Sequence, residues 1–400
     1  MNQNTESILF TPKSIGNVEV PNRFVRSATF ECAAHEDGSV GDKYSKIYER
    51  LSKGNVGLII SGMMHISESG KSYHFQAGLH SDEMISGLSE MTEKVHQTGS
   101  KIFAQIAHGG RQTLVQGRRP MAPSGGCLVL IYPVIPRPIR IDEIETAIAD
   151  FGEAALRAKK AGFDGVQFHG AHGYLIHEFL SPFFNRRTDE WGGTADNRFR
   201  FLKCVYESVR EKVGDDFPVT IKLNVNDHTP KKGLSIDDVQ MHCERLAEMG
   251  IDAVELSCGT VAYSLFQQSR GDVPAKGFAS TQPLPFQWIS AKIFALAFPQ
   301  QRYIFEEGYN LWASQHIRKV LQDVPLIMVG GLRSPDVMAK IIHEKQADFV
   351  SMCRPLIREP MIIKKWQDGN KKPVSCVNCN KCFVVLAHDE MLSCGNNRTF

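Results

Sequence analysis

Eight short apolar runs constrain this chain more than any other feature. They fall at residues 23–28, 56–63, 101–108, 165–171, 219–224, 253–259, 325–331 and 349–355, each bounded by turn or helix-start residues. Most precede a segment of helical periodicity, as at 141–161, 194–213, 236–249 and 334–344. Asp142, Ser235 and Ser334 stand where helix caps belong. Continuous apolar strands alternating with amphipathic helices imply parallel strands buried on both faces. Eight of them predict an α/β chain closed into a (β/α)8 TIM barrel, with its active site at the C-terminal ends of the strands. A doubly wound sheet is the rival, but no G-x-G-x-x-G lies between a strand and a helix.

Two connectors exceed ordinary length. Residues 112–140, after the third strand, hold APSGG and several prolines; residues 260–301, after the sixth, are rich in Gly, Pro and aromatics. Long insertions on a barrel are expected over its catalytic face. The reading divides the chain into a barrel at 1–370 and a cysteine-rich extension at 371–400.

Composition narrows the partners. A net charge of +2, with basic residues in no more than short pairs such as Arg118–Arg119, argues against nucleic acid. No apolar run approaches membrane-spanning length, and the first ten residues lack a signal-peptide pattern, so the cytoplasm is expected. There the ten cysteines should be thiols rather than disulfides. Six are scattered (Cys32, Cys127, Cys204, Cys243, Cys258, Cys353), and four cluster as Cys376-x2-Cys379-x2-Cys382-x11-Cys394.

Chemistry collects at the strand ends. The fourth run leads straight into His169 and His172, followed by Tyr174: two imidazoles and a phenol able to hold an oxyanion and deliver a proton. Gln105 and His108 end the third run, and Lys222 and Asn224 lie on the fifth. Lys222 would offer a fixed charge near the barrel axis, or pair with a core acid. Gly330 and Gly331 after the seventh strand, with Arg354 after the eighth, stand where barrels hold a phosphate.

These residues sit in longer motifs: PNRFVRSAT at 21–29, QIAHGGR at 105–111, HGAHGYLIHEFLSP at 169–182, NRRTDEWGGTADNRFRF at 185–201 and VGGLRS at 329–334. With LFTP at 9–12, they make nearly the whole chain resemble the Old Yellow Enzyme family of FMN-dependent ene-reductases. Within it, the chain is similar to the branch of 2,4-dienoyl-CoA reductase and trimethylamine dehydrogenase, without the C-terminal flavin/nucleotide domains. The resemblance implies that Gln105 and Lys222 meet the flavin pyrimidine, that Ala28, Thr29 and Gly62 line the ring, and that Gly330, Gly331, Cys353 and Arg354 form the phosphate turn. It implies that His169 and His172 bind the carbonyl oxygen of an activated alkene and that Tyr174 is the proton donor, with NAD(P)H as reductant. Cys353 stands where Gly is usual, and Phe30 where relatives carry a flavin-bonding side chain. Asp189, Trp191, Gly192, Gly193, Asn197 and Arg198 match a motif read as structural.

Cys376, Cys379, Cys382 and Cys394 resemble the [4Fe–4S] ligands of that branch. Four soft thiolates suit such a cluster; tetrahedral zinc and free thiols remain open. A loaded cluster would imply electron transfer or an oxidative, amine-type dehydrogenase served by a separate electron-donor protein. An aldolase or isomerase with a Lys222 Schiff base is a third class. Association into a homo-oligomer through outer helices is also open.

Overall fold

The computed structural model describes residues 6–115, 117, 119–126 and 134–397. Cys127, Arg118, the first five residues and the last three of the cysteine-rich extension lie outside that set, as does part of the connector after the third strand. All eight apolar runs contain strands: β1 Phe24–Arg26, β2 Leu58–Ile60, β3 Lys101–Ala107, β4 Gly165–Gly170, β5 Val219–Asn224, β6 Ala253–Ser257, β7 Leu326–Val329 and β8 Phe349–Met352. Each pairs in parallel with the next, and β8 pairs back onto β1 with Met352 opposite Arg26, which closes the barrel. Val166, Phe168, Ile221, Leu223, Val254, Leu256 and Met328 face outward into the main core under the helices. Val25, Leu58, Ile60, Phe103, Ile327 and Phe349 fill the lower interior. A hairpin, Lys13–Ile15 with Val18–Val20, adds Ile15 and Val20 to that cluster and stops the N-terminal end. The strand alternation that supplies this apolar plug leaves polar side chains in the upper interior.

Helices follow the strands as expected: α1 Asp42–Lys53, α2 Ile85–His96, α3 Ile141–Lys160, α4 Ala195–Val213, α5 Ile236–Glu248, α6 Leu311–Leu321, α7 Pro335–His343 and α8 Ile362–Gln367. In α3, buried Ile144, Ala147, Phe151, Ala154, Ala155 and Ala158 trace one face. Ser235 caps α5: its hydroxyl accepts from Asp238 N–H at 3.3 Å, and Asp238 accepts from Ser235 N–H at 3.0 Å. Two cap expectations need correction. Asp142 lies inside the first turn of α3; Arg140 holds the N-cap position, its N–H donates to Glu143 at 2.9 Å, and Asp142 pairs with the Arg140 guanidinium. Ser334 does precede α7, but its hydroxyl donates to Glu307 at 2.9 Å instead of capping.

Residues 260–301 cross the C-terminal end of the barrel through helices Val261–Ser264, Ala275–Ala279 and Gln287–Ala297. The cysteine-rich extension packs on the same end through helix Lys381–Ala387, whose Val384 and Val385 are buried. Asn380 clamps it there. Its amide donates to Ser269 O and Asp272 O at 2.8 and 2.9 Å, and its Oδ1 accepts from Arg354 at 2.7 Å. No helix among the described residues is long and apolar enough to cross a membrane.

Candidate active site

The site begins with a buried polar floor. Register sets Gln105 opposite Gln167, and Lys222 between His169 and Glu255. Gln105 donates to Gln167 at 2.8 Å, and Gln167 to Glu255 at 3.0 Å. Lys222 Nζ lies 3.1 Å from Glu255 and donates to Ser27 at 2.7 Å, while Ser27 and Ser351 donate to the other Glu255 oxygen. So Lys222 does pair with a core acid, and it also lines the cavity above. A buried ion pair of this kind persists only where further hydrogen bonds satisfy both groups, as the serines and Gln167 do here.

Above the floor, His169 ends β4, with its Nδ1 buried and without a partner among the described residues. His172 adopts φ +63°, a left-handed conformation that an L-residue keeps only when its neighbours hold it. They do so from several sides. Asn224 Oδ1 accepts from His172 N–H at 3.2 Å, and His172 O accepts from Val261 N–H and from the Gln112 amide. His172 Nε2 meets Ser257 Oγ at 2.7 Å. Behind the turn, Gly173 N–H donates to His177 Nδ1 at 3.0 Å, so His177 Nε2 carries the hydrogen toward Asp227 at 2.6 Å. Ser181 donates to the other Asp227 oxygen at 2.6 Å. Burial works against the Asp227 carboxylate, yet the His177 and Ser181 bonds hold its pKa below the usual value.

The His169 ring stands 5.1 Å edge-on from His172 and 4.5 Å from Tyr174. Burial pushes the His169 pKa well below normal, with Lys222 adding to it; His172 is lowered by burial, then by His169 and Lys222. Both imidazoles are therefore neutral near pH 7 and act as N–H donors. The Tyr174 hydroxyl lies 3.1 Å from that of Tyr73. Burial and then Tyr73 raise the Tyr174 pKa well above 10, keeping the phenol protonated.

These groups line one cavity of about 590 Å³ at the C-terminal mouth. Ala28, Thr29, Gln105, His169, His172, Tyr174, Lys222, Gly331, Cys353 and Arg354 all reach it. Gly62 and Gly330 are not among its lining residues. The Gly62 N–H is taken by Tyr48 OH at 2.9 Å, and a β-carbon there would collide with Glu31. Gly330, at φ +154°, makes room for Asn310. Cys353 accepts from the Thr29 hydroxyl at 3.1 Å, tying the turn after β8 to that after β1. Glu31 holds Arg26 at 2.8 Å and Tyr48 at 2.7 Å and so buttresses the turn after β1.

Sequence reasoning missed several walls. Tyr73 and His74 come from the loop after β2, and Asn378, Phe383, Leu386 and Asp389 from the extension. No periodicity marks these loop residues. The 185–201 motif is bonded internally, with Asn185 on Trp191 O, Asn197 on Asp189 O and Arg198 on Gly193 O, and Arg198 also ties it to Leu180 O of the preceding helix.

Cys376, Cys379, Cys382 and Cys394 lie outside the cavity lining. Cys376 and Cys379 are electrostatic neighbours of Cys382, whose thiol burial pushes up to about 12. Gly395 rests on the Lys381 backbone and so returns Cys394 to the start of the same helix. No three of these thiols lie within 4.8 Å of one another, whereas thiolates around tetrahedral zinc stand about 3.8 Å apart.

The residues present fit a flavin. The largely apolar cavity is lined by the Lys222 ammonium and the Gln105 amide, by His169, whose Nδ1 has no partner among the described residues, and by Gly331 and Arg354. Comparison with known proteins agrees. Residues 8–274 match the model of the NADH:flavin oxidoreductase / NADH oxidase family. The chain is similar to an NADH oxidase of Thermoanaerobacter brockii, at 34% identity over 93% of this chain and 52% of that protein. It is also similar to an NADPH dehydrogenase of Geobacillus sp. (strain WCH70), at 33% identity over 89% of this chain and 92% of the relative. Among solved structures, a 2-naphthoyl-CoA reductase in complex with 2-naphthoyl-CoA superposes with TM-score 0.84 at 26% identity, covering 98% of this chain and 57% of that one. The chain thus spans about half the length of the NADH oxidase and of the CoA reductase, and nearly all of the NADPH dehydrogenase. By barrel, site and sequence the chain belongs to the NADH:flavin oxidoreductase / NADH oxidase family, the Old Yellow Enzyme family.

Proposed function

We propose that the chain is an FMN-dependent ene-reductase acting on the C=C bond of an enone or enoyl compound. The observation that carries this reading is the neutral His169–His172 pair beside a protonated Tyr174, all above the Lys222 floor. Ala28, Thr29, Gln105 and Lys222 would hold the FMN ring, and Gly331, Cys353 and Arg354 its phosphate. Bound FMN supplies hydride relay from NAD(P)H to the alkene β-carbon. His169 and His172 each donate one N–H to the substrate carbonyl oxygen. Being neutral, they stabilise developing negative charge without protonating it. Tyr174 then gives its proton to the α-carbon, and Tyr73 orients that hydroxyl. Phe383 and Leu386 of the extension, with Leu265 and Phe278, wall the cavity against water.

A second reading is supported by the extension: a [4Fe–4S] cluster on Cys376, Cys379, Cys382 and Cys394, served by a separate electron-donor protein. Four cysteines gathered about the start of one helix offer the soft thiolate set that a cluster needs. Self-association is a third part of the proposal. Helix Gln287–Ala297 turns Trp288, Ile289, Ile293 and Leu296 outward, with Lys292 its one charged residue, and a face this apolar favours a second copy. The nine described cysteines are free, which supports placement in the cytoplasm.

An anaerobic visible spectrum before and after NADH tests both redox readings. Flavin bands that bleach with NADH and return with an enone support the ene-reductase. A broad brown absorbance that NADH leaves unchanged supports the cluster and its donor. A colourless sample that FMN cannot reconstitute overturns both.

A further inference from the structure

The loop after β2 carries Tyr73 and His74 into the cavity, and its two ends meet outside it. Met64–His65 pairs with the end of β3, His65 N–H donates to Ala77 O, and Leu79 N–H donates to His65 O. His65 and His80 are thereby stacked, with ring centroids 4.4 Å apart.

A hydrogen bond settles the His65 tautomer. His65 Nδ1 faces Ser67 O at 3.1 Å; a carbonyl can only accept, so Nδ1 carries the hydrogen and Nε2 the lone pair. His80 Nε2 lies 3.1 Å from a Glu68 carboxylate oxygen. His65 Nε2 and His80 Nδ1 are both buried and have no hydrogen-bond partner among the described residues. A buried lone pair such as that of His65 Nε2 is unfavourable unless something electron-poor sits near it.

Two glycines bring bare backbone against these nitrogens. A β-carbon on Gly78 would come 2.4 Å from His80 Nδ1 and 2.8 Å from His65 Nε2, and one on Gly38 would come 2.8 Å from His65 Nε2. Both nitrogens thus border one bare patch of backbone. One donor atom from each of His65, Glu68 and His80 lies within 4.8 Å of the others. Donors around a tetrahedral ion stand about 3.4 Å apart, so side-chain rotations of roughly 1 Å would close the set. Glu68 is 58% exposed and gives an ion its path from solvent.

We propose that His65, His80 and Glu68 form a site for a divalent ion of the zinc class, which fastens the two ends of the loop that presents Tyr73. Two imidazoles and one carboxylate select zinc, cobalt or nickel over magnesium or calcium, which prefer all-oxygen sites. The site stands apart from the flavin cavity and from the four-cysteine motif, so it holds whichever redox reading is correct.

The test is zinc content after equilibrium dialysis of the full chain against Zn²⁺, read by elemental analysis for wild type, His80→Gln and Glu68→Gln. The cysteine motif is the same in all three, so differences count this site alone. His80→Gln should bind one equivalent less than wild type, and Glu68→Gln should bind that equivalent at least tenfold more weakly. Co²⁺ in the same site should show visible d–d bands without thiolate charge transfer, lost in His80→Gln and reached only at higher Co²⁺ in Glu68→Gln. Glu68 is largely exposed, so its variant keeps the fold and decides the matter even if His80→Gln misfolds. Equal zinc content and equal affinity in wild type and Glu68→Gln would overturn the proposal.

Discussion

The Tyr73 and Tyr174 hydroxyls meet at 3.1 Å across 101 residues of sequence, joining the loop after β2 to the turn after β4. Tyr174 sits with the imidazoles; Tyr73 reaches it from the opposite wall. Because burial and Tyr73 both raise the Tyr174 pKa, its proton stays in place well past pH 10. Reoxidation of the reduced protein by an enone should show no alkaline fall up to pH 10. Tyr174→Phe should slow that half-reaction by about 10²-fold or more while sparing reduction by NAD(P)H. Tyr73→Phe should slow it several-fold and move the alkaline limb toward lower pH. Stopped-flow traces of the two half-reactions across pH distinguish these outcomes.

His169 and His172 should act as neutral donors throughout the physiological range. Their pKa values lie well below 6.5, so no imidazole titration should appear in enone binding between pH 6 and 8. His169→Ala should lower the reoxidation rate by about 10²-fold through loss of one oxyanion donor, and His169→Asn should restore part of it.

Lys222 and Glu255 stabilise one another where neither is tolerated alone. Lys222→Met leaves a buried carboxylate without its cation and should cost about 3–5 kcal/mol in urea unfolding. The double variant Lys222→Met, Glu255→Gln should lose less than the sum of the two singles, because the lone charge is gone. Additive losses would show that the pair does not interact.

Asp227 links the turn at His172 to acid stability. Its folded pKa is depressed below the unfolded value of about 3.9. The stabilisation is therefore complete above about pH 5 and disappears as pH falls through the folded pKa. Urea titrations of wild type and Asp227→Asn should differ most above pH 5 and converge in acid.

The cysteine motif gives the last prediction. If the cluster forms, iron analysis after anaerobic reconstitution should find about four irons per chain, and Cys382→Ser should abolish them together with the brown absorbance. Flavin content should persist in that variant, since Cys382 is not among the residues lining the flavin cavity.

Much of this was legible in the sequence because it is local. Strand period alone turns Gln105, Lys222 and His169 toward the barrel axis, and Ser235 caps its helix through neighbours three residues away. Tertiary structure decided the rest, where partners come from distant loops with no period to announce them. Only closure of the barrel sets Glu255 against Lys222 and Ser27, and only the packed extension carries Asn380 to Arg354. The left-handed turn at His172 is held by Asn224, Val261, Gln112 and the His177–Asp227 pair, none of which selects that conformation by itself. Side-chain facing follows from backbone geometry, which each residue carries with it. Pairing across a barrel depends on where whole elements come to rest.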